Sequence, residues 1–270
     1  KAKLMGVPIL HHTRMCPPRE APSATIPVTM VARDLQPDEF LLPHSHPWGQ
    51  VTMALEGVLR ITANNSSWVL PPMRAIWIAP NVEHAVTILE KTRLRPLCIH
   101  AARAPFAGQD CKVLEVSNLL RQLIMALEQL DPGQEPAREA LLAELILDEL
   151  KRSDTRPIRV PLPSDKRLKT LCDSLIDKPG LNQTLEHWAQ QVGASERTLA
   201  RLFERELGMS FGQWRQQVRL AHAAPLIARG VPLSQVAEEL GYASQSAFSA
   251  MFKKTFGSSP SAFFAQGDRI

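Results

Sequence analysis

Two groups of side chains carry chemistry that their spacing makes specific. Arg197 and Arg201 stand four residues apart, so on a helix they lie side by side with Ala200 between them. A guanidinium can donate two parallel bonds to the O6/N7 edge of guanine, and side chains near the start of a recognition helix reach furthest into a major groove. Further on, Gln245, Ser246 and Ser249 form a comparable outer face. Glutamine reads adenine bidentately and serine is permissive, while Lys253 and Lys254 suit phosphate. The second group is His44 and His46, which share one side if they lie in a strand, followed by Gln50 and, later, His84. Such imidazoles either hold a divalent metal ion or hydrogen-bond within a small-molecule pocket.

The elements that must position the first group are written twice. Leu185-x3-Ala189-x3-Gly193 recurs 48 residues later as Leu233-x3-Ala237-x3-Gly241. At an offset of 49, Ser195 matches Ser244, Phe203 matches Phe252 and Gly208 matches Gly257. Each copy reads as a short helix, a glycine turn, a serine N-cap, a second helix and a closing glycine. That is the grammar of a helix-turn-helix unit, and two on one chain could meet successive turns of a duplex about 34 Å apart. Ser195 and Ser244 cap the two reading helices. Leu199, Leu202, Phe203 and Leu207 supply the inner face of the first. A linking helix over 211–229 contains Pro225, which predicts a kink or a late start there.

Composition agrees with a nucleic-acid partner without demanding one. The net charge is +4, and from Ser164 onward 13 Lys and Arg stand against 10 Asp and Glu. Cys16, Cys98, Cys111 and Cys172 have no paired spacing, so a disulfide framework is not expected. No apolar run reaches membrane-spanning length and the opening residues lack a signal-peptide core, which predicts a cytoplasmic protein without a membrane partner.

Upstream, short strands separated by Pro, Gly and Asn are predicted at 28–35, 50–55, 58–63, 67–70, 75–78, 84–89 and 94–101, with a hairpin turn at Asn64-Asn65. Many short strands suggest an antiparallel barrel or jelly roll. Pro43-His44-Ser45-His46, Gln50, Gly57 and Pro80-Asn81-Val82-Glu83-His84 resemble the two motifs of the cupin fold. The resemblance implies that His84 comes from a facing strand and completes a three-histidine metal face with His44 and His46. Gln50 stands where the family carries Glu, which removes an anionic ligand. Trp48, between His46 and Gln50, is placed at the mouth of an effector pocket lined by His44, His46, Gln50 and His84, while Trp68 and Trp77 read as core and His100 as structural.

Residues 113–152 turn to helical periodicity, with leucine-rich stripes at 119–130 and 141–150 that either cover the barrel or pair two chains into a homodimer. Gly208-Met209-Ser210-Phe211-x2-Trp214, Arg219-Leu220 and the run from Val236 through Gly241-Tyr242, Gln245-Ser246, Phe248, Phe252-Lys253 and Gly257 to Pro260 resemble the AraC/XylS transcription regulators. That resemblance implies base contacts from Arg197, Ala200, Arg201, Gln245, Ser246 and Ser249. Ala250 replaces an arginine found in some members.

The expected architecture is a multi-domain α+β chain: an extended arm over 1–27, a cupin-like or jelly-roll antiparallel β-barrel over 28–112, a helical hairpin over 113–152, a linker over 153–163, and an all-α domain over 164–265 with helix-turn-helix units at 184–207 and 233–256. The expected function is a non-enzymatic, sequence-specific regulator of transcription, with double-stranded DNA and a small-molecule or metal effector as partners, and RNA polymerase where the output is activation. The rivals are a metal-dependent cupin enzyme with an accessory nucleic-acid-binding domain and a non-specific nucleic-acid packer.

Overall fold

A computed structural model describes residues 11–12, 21–37, 39–72, 74–131, 133–153, 159–257 and 259–265. Two compact units divide the chain, one from residues 1–64, 70–157 and 266–270 and the other from 65–69 and 158–265. The strands in order are β1 (His11–His12), β2 (Val28–Met30), β3 (Arg33–Leu35), β4 (Glu39–His44), β5 (Gly49–Met53), β6 (Leu59–Ala63), β7 (Ser66–Leu70), β8 (Arg74–Ile78), β9 (His84–Ile88), β10 (Thr92–Leu94), β11 (Leu97–Ile99) and β12 (Cys111–Glu115). Helices α1 (Asn118–Glu128) and α2 (Pro136–Arg152) follow.

One sheet runs β12-β8-β5-β11-β2, another contains the order β1-β4-β9-β6, and β3 pairs with β10. All these pairings are antiparallel except the β1–β4 pair. Among the described residues the strands form separate sheets, and no closed barrel is seen. Several strands are only three residues long, too short to carry continuous pairing around a circumference. The strand predicted at 28–35 is broken into β2 and β3, which pair with different partners. The one predicted at 94–101 is interrupted at Arg95-Pro96, where proline offers no N–H. Buried Arg95 instead donates to Glu128 Oε1 at 2.9 Å, Asp34 Oδ1 at 3.0 Å and the carbonyls of Arg33 and Leu94, tying the sheet to α1.

β4 and β12 were not expected. β12 falls in the stretch assigned to helix, so the sheet region extends past residue 112 to Glu115. Its pairing with β8 across the whole of Cys111–Glu115 overrides the local pattern. Asn64 and Asn65 take φ of 45° and 53°, the left-handed turn expected there. Alternation decides the faces: Val51, Met53, Trp77, Leu97 and Ile99 share a core with Leu120, Leu123, Ile124, Ile146 and Leu150 of the helical hairpin. The leucine stripes therefore cover a sheet, but Leu119, Leu141 and Leu145 stay 53%, 67% and 49% exposed.

The second unit is helical. It opens with β13 (Arg159–Pro161), which pairs antiparallel with residues 66–68 of β7, so the described end of the expected linker is a strand. Of the expected arm over 1–27, residues 1–10 and 13–20 lie outside the described residues, as do linker residues 154–158. Then come α3 (Lys166–Asp177), α4 (Leu185–Gln191), α5 (Glu196–Leu202), α6 (Phe211–Ala228), α7 (Leu233–Glu239), α8 (Gln245–Phe256) and α9 (Pro260–Ala265). α5 runs on into a π-helical turn over Phe203–Leu207. α6 starts at Phe211 and passes through Pro225, so the late start does not occur.

Candidate functional site

The two helix-turn-helix units share their turn contacts and the serine cap of the second helix, but only the first opens on a side-chain cap, since Pro232 stands at the N-cap of α7. Thr184 caps α4, Ser195 caps α5 and Ser244 caps α8, each through its hydroxyl. The Ser195 Oγ accepts from Thr198 N at 3.1 Å, and the Ser244 Oγ accepts from Ala247 N at the same distance. In the turns, Ala194 N donates to Ala189 O and Tyr242 N to Ala237 O, both at 2.9 Å. Gly193 and Gly241 hold φ of 64° and 72° there, a conformation that favours glycine. Leu199, Leu202 and Phe203 of the first unit, and Phe248 and Phe252 of the second, are buried.

That packing turns the other face outward. Arg197, Ala200, Arg201, Gln245, Ser246, Lys253 and Lys254 are exposed, Ser249 is half-buried, and both capping serines are exposed. Every residue singled out for DNA is thus available to a partner, and a helix presenting exposed Arg197 and Arg201 one turn apart has the form a major groove accepts. Glu206 was missed by sequence reasoning. Its carboxylate accepts from the backbone N–H groups of Ser164 at 2.9 Å and Asp165 at 3.0 Å, anchoring the start of α3 and lying below the ordinary carboxylate range through those bonds.

In the N-terminal, sheet-rich unit the three histidines converge although only two lie in strands. His44 ends β4 and is the register partner of His84, which starts β9. His46 sits in the loop after β4, so the condition that would set it on the same side of a strand as His44 is not met, and its ring is aimed by the Trp48 carbonyl, Gln50 and the Trp48 indole. A coordinating atom from each of the three lies within 4.8 Å of the others. His46 and His84 are buried and His44 is half-buried. Trp48 is half-buried and stacks on His46 with ring centroids 5.0 Å apart and planes at 7°. Trp77 and Trp68 are core, and Trp77 donates to Gln109 O at 3.1 Å. His100 is half-buried just beyond β11.

The tautomers follow from the partners. The Nδ1 atoms of His44, His46 and His84 face the carbonyls of Leu42, Trp48 and Val82 at 2.7, 2.7 and 3.0 Å. A carbonyl only accepts, so each Nδ1 carries a proton, and in a neutral ring Nε2 keeps its lone pair. Burial pushes the His84 pKa down to about 4, helped by His44 and His46 and opposed by the Val82 carbonyl. His46 is also lowered, chiefly by burial. Gln50 Oε1 lies 3.0 Å from His46 Nε2, while its Nε2 donates to Thr52 Oγ1 at 2.7 Å. Two acceptors that close are satisfied if the amide is turned over, so that its NH2 donates to His46 and its oxygen accepts from Thr52, or if a cation lies between them. Thr52 was the pocket residue the sequence reading did not name.

A pH effect follows for chelator-treated protein. Between pH 6.5 and 4 the unfolded chain takes up a proton on His84 that the folded chain refuses. Stability is therefore full above pH 6.5 and falls as acid is added, by about 3 kcal/mol at pH 4 from this residue alone. Urea midpoints at pH 7 and pH 5 should diverge more for the native chain than for His84→Gln, and parallel profiles would contradict the assignment.

The helix-turn-helix domain family matches residues 188–266, and the AraC-like ligand binding domain family matches residues 27–146. Over 232 residues the chain is 35% identical to the HTH-type transcriptional regulator NimR of Escherichia coli K12, spanning 85% of this chain and 84% of that protein. Over 154 residues it is 33% identical to the arabinose operon regulatory protein of the same organism, covering 55% of this chain and 51% of the relative. A crystal structure of a lysine-to-alanine variant of ToxT from Vibrio cholerae aligns with 91% of this chain and 98% of its own at 13% identity and a TM-score of 0.37.

Proposed function

The chain belongs to the AraC family of DNA-binding transcription regulators, with an N-terminal ligand-binding domain, and from that premise we propose which of its residues read DNA and which sense the effector. In this reading α5 and α8 enter successive major grooves. Arg197 and Arg201 donate to guanine edges, Ala200 offers an apolar contact, and Gln245, Ser246 and Ser249 address the second groove. Lys253 and Lys254 meet phosphate, as do the N-terminal ends of the helices at Ser195 and Ser244. The observation that carries it is the outward exposure of both sets on helices with matching caps and turns. Selection of binding sites from random DNA by the full chain should enrich two conserved boxes about one helical turn apart. A single box, or no consensus, would defeat the reading.

The effector site is the pocket of His44, His46, Trp48, Gln50 and His84. The donor set fits a divalent ion: with each Nδ1 committed to a backbone carbonyl, the three Nε2 atoms are the ones an ion would take up in place of the Gln50 amide contacts to His46 and His84, and the amide oxygen stands where the carboxylate is missing. Carbonyl-oriented imidazoles are how proteins prepare histidine for a metal. A bound ion would supply a Lewis-acidic anchor for an effector's oxygen or nitrogen atoms. The chain's own residues orient the rings through backbone carbonyls, favour the neutral form of His46 and His84 by burial, and cover His46 with the Trp48 indole. The pocket is read as sensory and not catalytic. Zinc or nickel added to chelator-treated protein should bind at one equivalent, and His84→Ala should weaken it by about 100-fold while leaving effector-free DNA affinity unchanged. Wild-type protein that takes up no ion would leave the pocket to an organic effector alone.

Exposed Leu119, Leu141 and Leu145 on α1 and α2 support a homodimer through the helical hairpin. No helix among the described residues is long and apolar enough to cross a membrane. The cytoplasm is the proposed location, because that is where a DNA reader meets its duplex.

A further inference from the structure

A tandem reader works only if its two recognition helices are held at one distance and one angle, since a rigid pair pays for bivalent binding only once. The link between the units here is polar and centred on Arg219, in α6. Its side chain is buried, 7% exposed, in a helix whose other buried positions include Val218, Leu220 and Ala223. Its Nε donates to Pro179 O at 3.0 Å, and its Nη2 to Leu181 O at 3.2 Å and Asn182 Oδ1 at 2.7 Å. One turn earlier on α6, Arg215 Nη1 donates to Gln183 O at 3.1 Å. Alternate carbonyls of the 179–183 loop are thereby held by a single helix, and this loop leads straight into the Thr184 cap of the first unit.

The same guanidinium lies over the Tyr242 ring of the second unit, 5.2 Å from its centroid. Asn182 Nδ2 donates to Gly241 O at 3.1 Å, closing the circuit from Arg219 through the loop to the second turn. The backbones touch as well. A Cβ built on Gly241 would collide with the Gly180 carbonyl, and one built on Gly180 with the Glu239 carbonyl. These partners of the Arg219 guanidinium are neutral. Attraction to an acid is therefore not what they provide, whereas a planar five-donor fork fixes several acceptors in one geometry.

We propose that Arg219 is a positioning residue that sets the spacing between the two DNA-reading helices by locking the 179–182 loop onto the turn of the second unit. This rests on both α5 and α8 facing DNA.

The test uses the full chain and three kinds of duplex: the selected two-box site, the same boxes moved apart or together by one base pair, and the first box alone. Arg219→Lys keeps the charge and loses the fork, and Asn182→Ala removes the bridge to Gly241 together with one acceptor of the guanidinium, leaving the bonds to the Pro179 and Leu181 carbonyls. Each variant should lose about tenfold of the preference for the selected spacing while binding the single box within about twofold of wild type. A variant that keeps the spacing preference, or that loses single-box and two-box binding equally, overturns the proposal. If Arg219→Lys fails to fold, Asn182→Ala decides alone by the same criteria. Wild-type protein indifferent to spacing would instead refute the two-box reading, and the proposal with it.

Discussion

Alanine at both Arg197 and Arg201 is expected to remove about 2–6 kcal/mol of affinity for the selected site, since each guanidinium–guanine pair is worth about 1–3 kcal/mol of discrimination. Both side chains are exposed while Leu199 and Leu202 between and beside them are buried, so the substitutions leave the helix core untouched. The loss should therefore appear in DNA binding and not in melting temperature. It should also be confined to specific DNA, because a guanine contact contributes nothing where the guanine is absent. Lys253→Ala supplies the contrast: a phosphate contact weakens all duplexes alike and flattens the salt dependence by about one unit. Unchanged base preference in the double variant, or equal loss on random DNA, would remove α5 from the groove.

The largest effect on stability is expected from Trp214→Ala, at about 3–5 kcal/mol. The indole is fully buried in α6, its ring centroid lies 5.9 Å from that of Phe203, and its Nε1 donates to Pro161 O at 2.8 Å. Alanine would open a cavity beside the first reading helix and leave a carbonyl unpaired where β13 enters the unit. A loss of that size is a large part of what a domain of this length has to spare. Trp214→Phe keeps most of the ring and forfeits the hydrogen bond, so it should cost about 1–2 kcal/mol. Chemical denaturation followed by helical signal separates the two. A loss below 1 kcal/mol for the alanine variant would show that the indole is not the keystone it appears in the packing.

The reader was legible because its determinants are local. Serine caps, glycine turns and apolar residues at helical spacing are written within a few positions of where they act, and Ser195 and Ser244 make the same bond in both copies. The front unit was legible where strands alternate, as in β6 and β9, and not where pairing is non-local. β12 looked helical until its partner β8 was known, and β4 runs through Pro43. The histidines converge for a reason only half visible in their spacing: His44 and His84 are cross-strand partners, whereas His46 is turned inward from a loop by the Trp48 carbonyl. Arg219 was readable only as part of a motif. A lone arginine between Val218 and Leu220 hints at burial, but its acceptors are backbone carbonyls some forty positions away, which no local pattern announces.

Hydroxyl-radical footprinting of the full chain on its selected site tests the whole account most directly. Two protected patches on one face of the duplex, separated by about 10 base pairs, are what paired reading helices require. A single patch, or two on opposite faces, would mean that α5 and α8 do not engage adjacent turns together.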